Sequence, residues 1–242
     1  TAYEIYQCDW SSDVCSSDLE ALVLLDSKLA FIFDLDGVIV DSMPLHEEAW
    51  EVYLRRLGVK EANDIARRMH GRRNDDIVRD FLGPDSPAAE VEAHGAAKEA
   101  LFREMMGARL PEFLVGGVAD FLRDFQRVPT GLGTNAEPAN VDFVLNGSGL
   151  RPYFQVIANG THVERPKPAP DIYAYVAAQL GFAPHNCIVF EDSPTGIEAA
   201  KSAGARVVGL LTHANTLENV DFAVPNFTKL ELREWLAQQR AY

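Results

Sequence analysis

The sequence predicts an α/β fold: a doubly wound, Rossmann-like parallel sheet core with an inserted all-helical cap domain. Three observations carry that expectation. The runs Leu29-Ala30-Phe31-Ile32-Phe33 and Cys187-Ile188-Val189-Phe190 are apolar without alternation, as strands covered on both faces must be. Segments with helical spacing of apolar residues separate such runs, the pattern of a parallel sheet with right-handed crossovers. From about 45 to 110 the helical spacing continues without a convincing strand.

In chain order, the strand at 29–33 is followed by a helix from Pro44 to Leu57. Its stripe is Leu45, Ala49, Trp50, Tyr53, Leu54 and Leu57, and Gly58 ends it. Helical stretches then run through 62–69, 74–81 and from Ser86 to about Met106, the last with a Ser86 cap and Pro87 in its first turn. A helix near Val118 to Phe125 leads to a strand that ends at Thr134, and a helix through Val141 to Leu145 precedes the short strand Phe154 to Ile157. Asp171 is expected to cap the helix Ile172 to Leu180, which Gly181 closes. Pro194 opens a helix reaching Gly204, and Arg206 to Leu211 is the next strand. Ala223-Val224 is a weak last strand before a helix at 230–238. In such sheets ligands bind beyond the carboxyl ends of the strands, where Asp34, Thr134 and Asp192 fall.

The chemistry-bearing residues cluster at those ends. The first strand stops on Asp34-Leu35-Asp36-Gly37. Two carboxylates at the end of a buried strand repel and lose hydration, a cost that a cation between them relieves. Magnesium suits oxygen ligands and phosphate chemistry. Alone, the tetrad would be an acidic turn, but three further pieces match it. Leu132-Gly133-Thr134-Asn135 ends on a hydroxyl and an amide; Arg165-Pro166-Lys167-Pro168-Ala169-Pro170-Asp171 holds a lysine between prolines; and Cys187 to Gly196 is a second apolar strand ending on Glu191 and Asp192.

As a set, in this order, the four motifs resemble those of the haloacid dehalogenase superfamily, within it the β-phosphoglucomutase-like phosphatases. The resemblance covers roughly residues 28 to 238. Phosphoryl transfer needs an in-line nucleophile, charge neutralisation and positioning. Asp34 is placed to attack phosphorus and become an aspartyl phosphate, and Asp36 to protonate the leaving oxygen and then deprotonate water. The resemblance assigns the same roles and puts the backbone carbonyl of Asp36 on the metal as well. Asp34, Asp36, Asp192 and Glu191 would hold the Mg²⁺. Thr134, Asn135 and Lys167 would bind phosphate, with Lys167 offsetting the charge of both Asp34 and the substrate. The plainer readings are a solvated lysine at 167, which the stiffening prolines oppose, and a helix cap at Thr134, which is compatible with phosphate binding.

The helical insertion is the expected cap, closing over the site to exclude water and select substrate. Its candidate contacts are His46, Arg72, Arg73, Asn74 and Lys98, each weighed against a solvated position on a helix surface. By resemblance His46 matches the family's cap-hinge histidine and Lys98 a cap lysine used by the mutases. The turn departs from the mutase pattern: where those enzymes carry Ser-Arg-Glu-Asp, this chain reads Arg73-Asn74-Asp75-Asp76. The expectation is therefore a magnesium-dependent phosphohydrolase of a small phosphorylated metabolite, a sugar phosphate. The alternatives are a β-phosphoglucomutase and a non-catalytic family member. An acid at position 36 disfavours a dehalogenase.

Composition is consistent with this. A chain of 242 residues, 47% hydrophobic, can bury a sizeable core. A net charge of −14 without a basic stripe argues against a nucleic-acid partner, and no stretch approaches a membrane span. Residues 1–19 have neither helical nor strand periodicity and resemble the translation of a sequencing-library adapter, so they are set aside from fold reasoning. They hold four acids and no Lys or Arg, which leaves −10 on the rest, and they hold Cys8 and Cys15, which leaves Cys187 alone. A single thiol in an apolar strand gives neither disulfide framework nor metal cluster, pointing to a reducing, cytoplasmic setting. The expected organisation is a phosphotransfer core at 28–44 and 111–242 with a cap at 45–110, in a monomer.

Overall fold

The computed structural model describes residues 28–60 and 74–240. Residues 1–19, the helical stretch expected at 62–69, and Arg72 and Arg73 lie outside the described residues.

Six parallel strands form one sheet in the order β3-β2-β1-β4-β5-β6: β1 (Ala30–Phe33), β2 (Thr130–Gly133), β3 (Val156–Ala158), β4 (Cys187–Glu191), β5 (Arg206–Leu210) and β6 (Phe222–Val224). The order reverses at β1, which is the switch point of a doubly wound sheet. β1 lies between β2 and β4 with Phe33 beside both Leu132 and Phe190, so the three strands end at the same level. Ladder bonds continue one step further, from Asp34 N to the Phe190 carbonyl (3.0 Å) and from Thr134 N to that of Ala158 (3.1 Å).

Alternate residues of the buried strands serve two separate cores. Phe31, Phe33, Ile188, Phe190 and Val208 pack on one face beneath α4 (Val118–Asp124), α5 (Pro138–Gly147) and α8 (Leu230–Ala237). Phe33 and Phe190 stack there at 4.5 Å. Ala30, Ile32, Val189 and Val207 pack on the other face, beneath α6 (Asp171–Leu180) and α7 (Pro194–Ala203). Cover on both faces is the physical reason these strands read as continuous apolar runs.

Between β1 and α4 lie α1 (Met43–Arg56), α2 (Asn74–Leu82) and α3 (Ala88–Met106), with no strand among the described residues there. Trp50, Leu54, Ile77, Val78 and Val91 give these helices a small core of their own. The chain leaves and re-enters the sheet side by side, through an antiparallel bridge between Val40 and Leu114. No helix among the described residues is long and apolar enough to cross a membrane.

Two expected caps are corrected. Helix α3 starts at Ala88 with Pro87 at the cap position, and the Ser86 hydroxyl instead donates to the Gly83 carbonyl (2.8 Å). Pro87 forces its predecessor toward extended backbone, so the helix cannot begin before it. Helix α6 has Pro170 at its cap position, and the Asp171 carboxylate is turned away to pair with Arg165 (2.6 Å). The strand expected at 154–157 is displaced to Val156–Ala158, because Phe154 follows a short 3-10 turn (Arg151–Tyr153) and packs into the core. Helix α5 extends beyond the expected 141–145 because Pro138 starts it and polar residues continue it to Gly147.

Candidate active site

The strand ends bring Asp34, Thr134, Glu191 and Asp192 together, and the loop before α6 delivers Lys167 to them. Its ammonium is 2.5 Å from Asp34 Oδ1 and 2.7 Å from Glu191 Oε1, and it lies over the Tyr173 ring. Burial alone would lower the Lys167 pKa, but the two carboxylates outweigh it and hold the ammonium charged. The solvated reading of this lysine is thereby overturned, since its side chain is 5% exposed.

Glu191 is fully buried and its oxygens are committed. Oε1 accepts from Lys167 and from the Tyr173 hydroxyl (2.7 Å). Oε2 accepts from the backbone N–H of Asp192 (2.9 Å), the N–H of Ser193 (3.0 Å) and the Ser193 hydroxyl (3.1 Å). Burial works to raise its pKa, but Lys167 and these donors hold it below the usual range. Ser193 also caps α7, accepting from Gly196 N–H (3.1 Å). A Cβ on Gly196 would lie 1.6 Å from Glu191 Oε1, so glycine is what lets α7 begin against that carboxylate.

Asp34, Glu191 and Asp192 each present an oxygen within 4.8 Å of one another. Burial raises Asp34 to about 7 and Asp192 to about 9, and the neighbouring carboxylates add to both shifts. Lys167 is ion-paired with Asp34 and Glu191, and the hard oxygens of Asp34 and Asp192 beside it are of the kind that fit a magnesium ion. Gly37, at φ +75°, makes room: a Cβ there would sit 1.9 Å from Asp192 Oδ2.

The Asp36 carboxylate turns to the other side of the loop. Ser42 Oγ donates to it (2.6 Å), and His46 Nε2 lies 3.9 Å away. Thr134, 1% exposed, accepts from the Ala136 N–H (3.1 Å), which leaves its own hydroxyl proton free to be donated. The Asn135 side chain accepts from the Lys167 backbone N–H at 3.4 Å, tying the two loops together. His46 and Lys98 are buried, at 8% and 1%, and bonded to each other (3.0 Å), so neither is a solvated helix-surface residue. Asn74 donates to Glu99 (2.7 Å). Ser42, Tyr173, Ser193 and Glu99 were not singled out from the sequence. Ser42 sits six residues from Asp36 in the first motif and was within reach of it.

Residues 29–204 match the haloacid dehalogenase-like hydrolase family. The chain is similar to the fructose-1-phosphate phosphatase YqaB of Escherichia coli, at 32% identity over 73% of this chain and 93% of that protein. It is also similar to the validoxylamine A 7'-phosphate phosphatase of Streptomyces hygroscopicus subsp. limoneus, at 32% identity over 82% of this chain and 94% of that one. Among solved structures, the β-phosphoglucomutase of Clostridium difficile superposes with a TM-score of 0.71 at 25% identity, covering 86% of this chain and 96% of that chain. With the match spanning its strands and motifs, the chain belongs to the haloacid dehalogenase superfamily, among its β-phosphoglucomutase-like phosphatases.

Proposed function

We propose that the protein is a magnesium-dependent phosphohydrolase of a small sugar phosphate, working through an aspartyl phosphate on Asp34. The observation that carries this reading is the buried Lys167 ammonium held between Asp34 and Glu191 at the carboxyl ends of β1 and β4. Asp34 attacks phosphorus, the ester P–O bond breaks, and Asp36 gives its proton to the leaving oxygen. Asp36 then takes a proton from water as that water attacks phosphorus, and the Asp34–phosphate bond breaks to release inorganic phosphate. Thr134 and Asn135 hold phosphate oxygens, and Lys167 neutralises charge on both partners while Glu191 orients it. Asp34 and Asp192 are the carboxylates with capacity left for Mg²⁺, with the backbone carbonyl of Asp36 as the third protein ligand, and the ion would neutralise phosphate charge. Residues 45–110 act as the cap.

Hydrolysis is favoured over phosphosugar isomerisation by Asn74. A mutase grips the phosphate distant from its nucleophile, and the amide at this position is already given to Glu99. One charge-assisted contact contributes about 1.5–3 kcal/mol, so its absence weakens such a grip roughly tenfold to a hundredfold. A panel of sugar phosphates with magnesium, including fructose 1-phosphate and primed β-glucose 1-phosphate, tests both readings. Phosphate release should exceed conversion to glucose 6-phosphate. Isomerisation that outpaces hydrolysis would make the protein a mutase.

A further inference from the structure

The reaction above leaves part of one buried polar network without a role. Where α1–α3 meet the core, Glu99 Oε1 accepts from Lys98 Nζ (2.6 Å) and from Asn74 Nδ2 (2.7 Å). Glu99 Oε2 accepts from Asn140 Nδ2 (2.7 Å), and Asn140 Oδ1 accepts from Arg103 Nη1 (2.6 Å). Lys98 Nζ reaches His46 Nδ1 (3.0 Å), whose ring stacks on Phe102 and points Nε2 toward Asp36. Adjacent residues of a helix do not face one another, so Lys98 and Glu99 meet only because both bend into the same seam. Glu99 is 4% exposed and Asn140 5%. Asn140 stands on α5, the helix that follows the Thr134–Asn135 loop, whereas Lys98, Glu99 and Arg103 all stand on α3.

We propose that Asn140 is a positioning residue. By donating to Glu99 and accepting from Arg103 at once, it clasps α3 to the core and thereby fixes the Lys98–His46 pair against Asp36. The carboxamide suits this place because it supplies a donor and an acceptor in one plane. Leucine offers neither, and aspartate sets a second carboxylate against Glu99. Without the amide, Glu99 Oε2 loses its donor and Arg103 its acceptor in a dry seam, a cost that drives the seam to open and hydrate. The catalytic consequence rests on the reading of Asp36 as acid and base; the clasp itself does not.

Two measurements test it, one independent of turnover. Reductive methylation read by peptide mass spectrometry should leave Lys98 protected in the wild type while exposed Lys229 reacts freely. In Asn140→Leu, Lys98 should react at least about tenfold faster, the expected cost of losing buried hydrogen bonds. With magnesium and fructose 1-phosphate, or whichever panel sugar phosphate the wild type hydrolyses, Asn140→Leu should lower kcat about tenfold or more. The loss should fall on kcat more than on KM, because Thr134, Asn135 and Lys167, the phosphate contacts of the proposed reading, do not belong to this network. Asn140→Asp should be at least as damaging. Combining it with Glu99→Gln restores a carboxylate–amide pair with donor and acceptor exchanged, and should recover kcat relative to Asn140→Asp alone. A wild type that labels Lys98 as fast as Lys229, or a folded Asn140→Leu that keeps Lys98 protected, overturns the clasp. Failure of the exchange to recover kcat overturns it too, and serves as the test should Asn140→Leu not fold. If no sugar phosphate is hydrolysed by the wild type, the functional reading fails while the labelling still decides the clasp.

Discussion

Asp34 is held in a state that suits a nucleophile facing an anion. Burial raises its pKa to about 7 even with the Lys167 ammonium 2.5 Å away, so its charge depends on the cations around it. Asp34→Asn is nearly isosteric but cannot attack phosphorus, and phosphate release should fall by at least about 10⁴-fold with the melting temperature little changed. A folded variant that keeps appreciable turnover would exclude covalent catalysis. Asp34, Thr134, Glu191 and Asp192 could be picked out because a buried parallel strand announces its own end, and they fall at or just past such ends on one edge of the sheet; Lys167, in the loop before α6, was marked instead by its flanking prolines. Tyr173 and Asn140 were not legible. Each sits within a helix at ordinary helical spacing, and its partner lies 18 or 41 residues away, a distance that only the packed fold closes.

At the scale of elements, the long periodic segments were readable and their first residues were not. The ends of β1, β4 and β5 and the body of α1 follow from apolar runs and stripes. The starts of α3 and α6 were misplaced because Ser86 and Asp171 have a choice of partners, Gly83 and Arg165, that sequence spacing does not rank. The junction of β4 with α7 gives an element-scale prediction. Gly196→Ala puts a methyl where Glu191 Oε1 lies, and Glu191 has no slack, because five donors hold it. The helix start or the carboxylate must shift, at a cost of about 1–3 kcal/mol for an overpacked site. Lys167 loses its second anchor as a result. Chemical denaturation should show that loss of stability, and kcat should fall about tenfold, as a small misplacement near reacting groups warrants. Unchanged kcat would mean that Glu191 does not set the position of Lys167.

The whole molecule carries a net charge of −14, and its acidic centre adds buried carboxylates that resist ionisation, so stability, pH and metal are linked. Burial raises Asp34 from 3.8 to about 7 and Asp192 from 3.8 to about 9. Above pH 3.8 the unfolded chain has released protons that the folded chain still holds. The folded state then binds more protons, and stability must fall as pH rises until each folded pKa is passed. His46, pushed below its ordinary 6.5 by burial and by Lys98, acts in the opposite sense at lower pH. In the window from about 7 to about 9, Asp192 pulls stability down as pH rises, while Lys98, lowered from 10.5 by burial, acts in the opposite sense. On the proposed reading magnesium would bind the ionised cluster and stabilise in proportion to the logarithm of its concentration over its dissociation constant. In EDTA the melting temperature should drop across that window. In millimolar magnesium it should be higher, and the gap should widen toward the alkaline end. Asp192→Asn removes the titrating ligand and should flatten the drop in EDTA as well as shrink the magnesium effect. A magnesium shift that is equal at both ends of the window, or one that survives intact in Asp192→Asn, would place the ion away from these carboxylates.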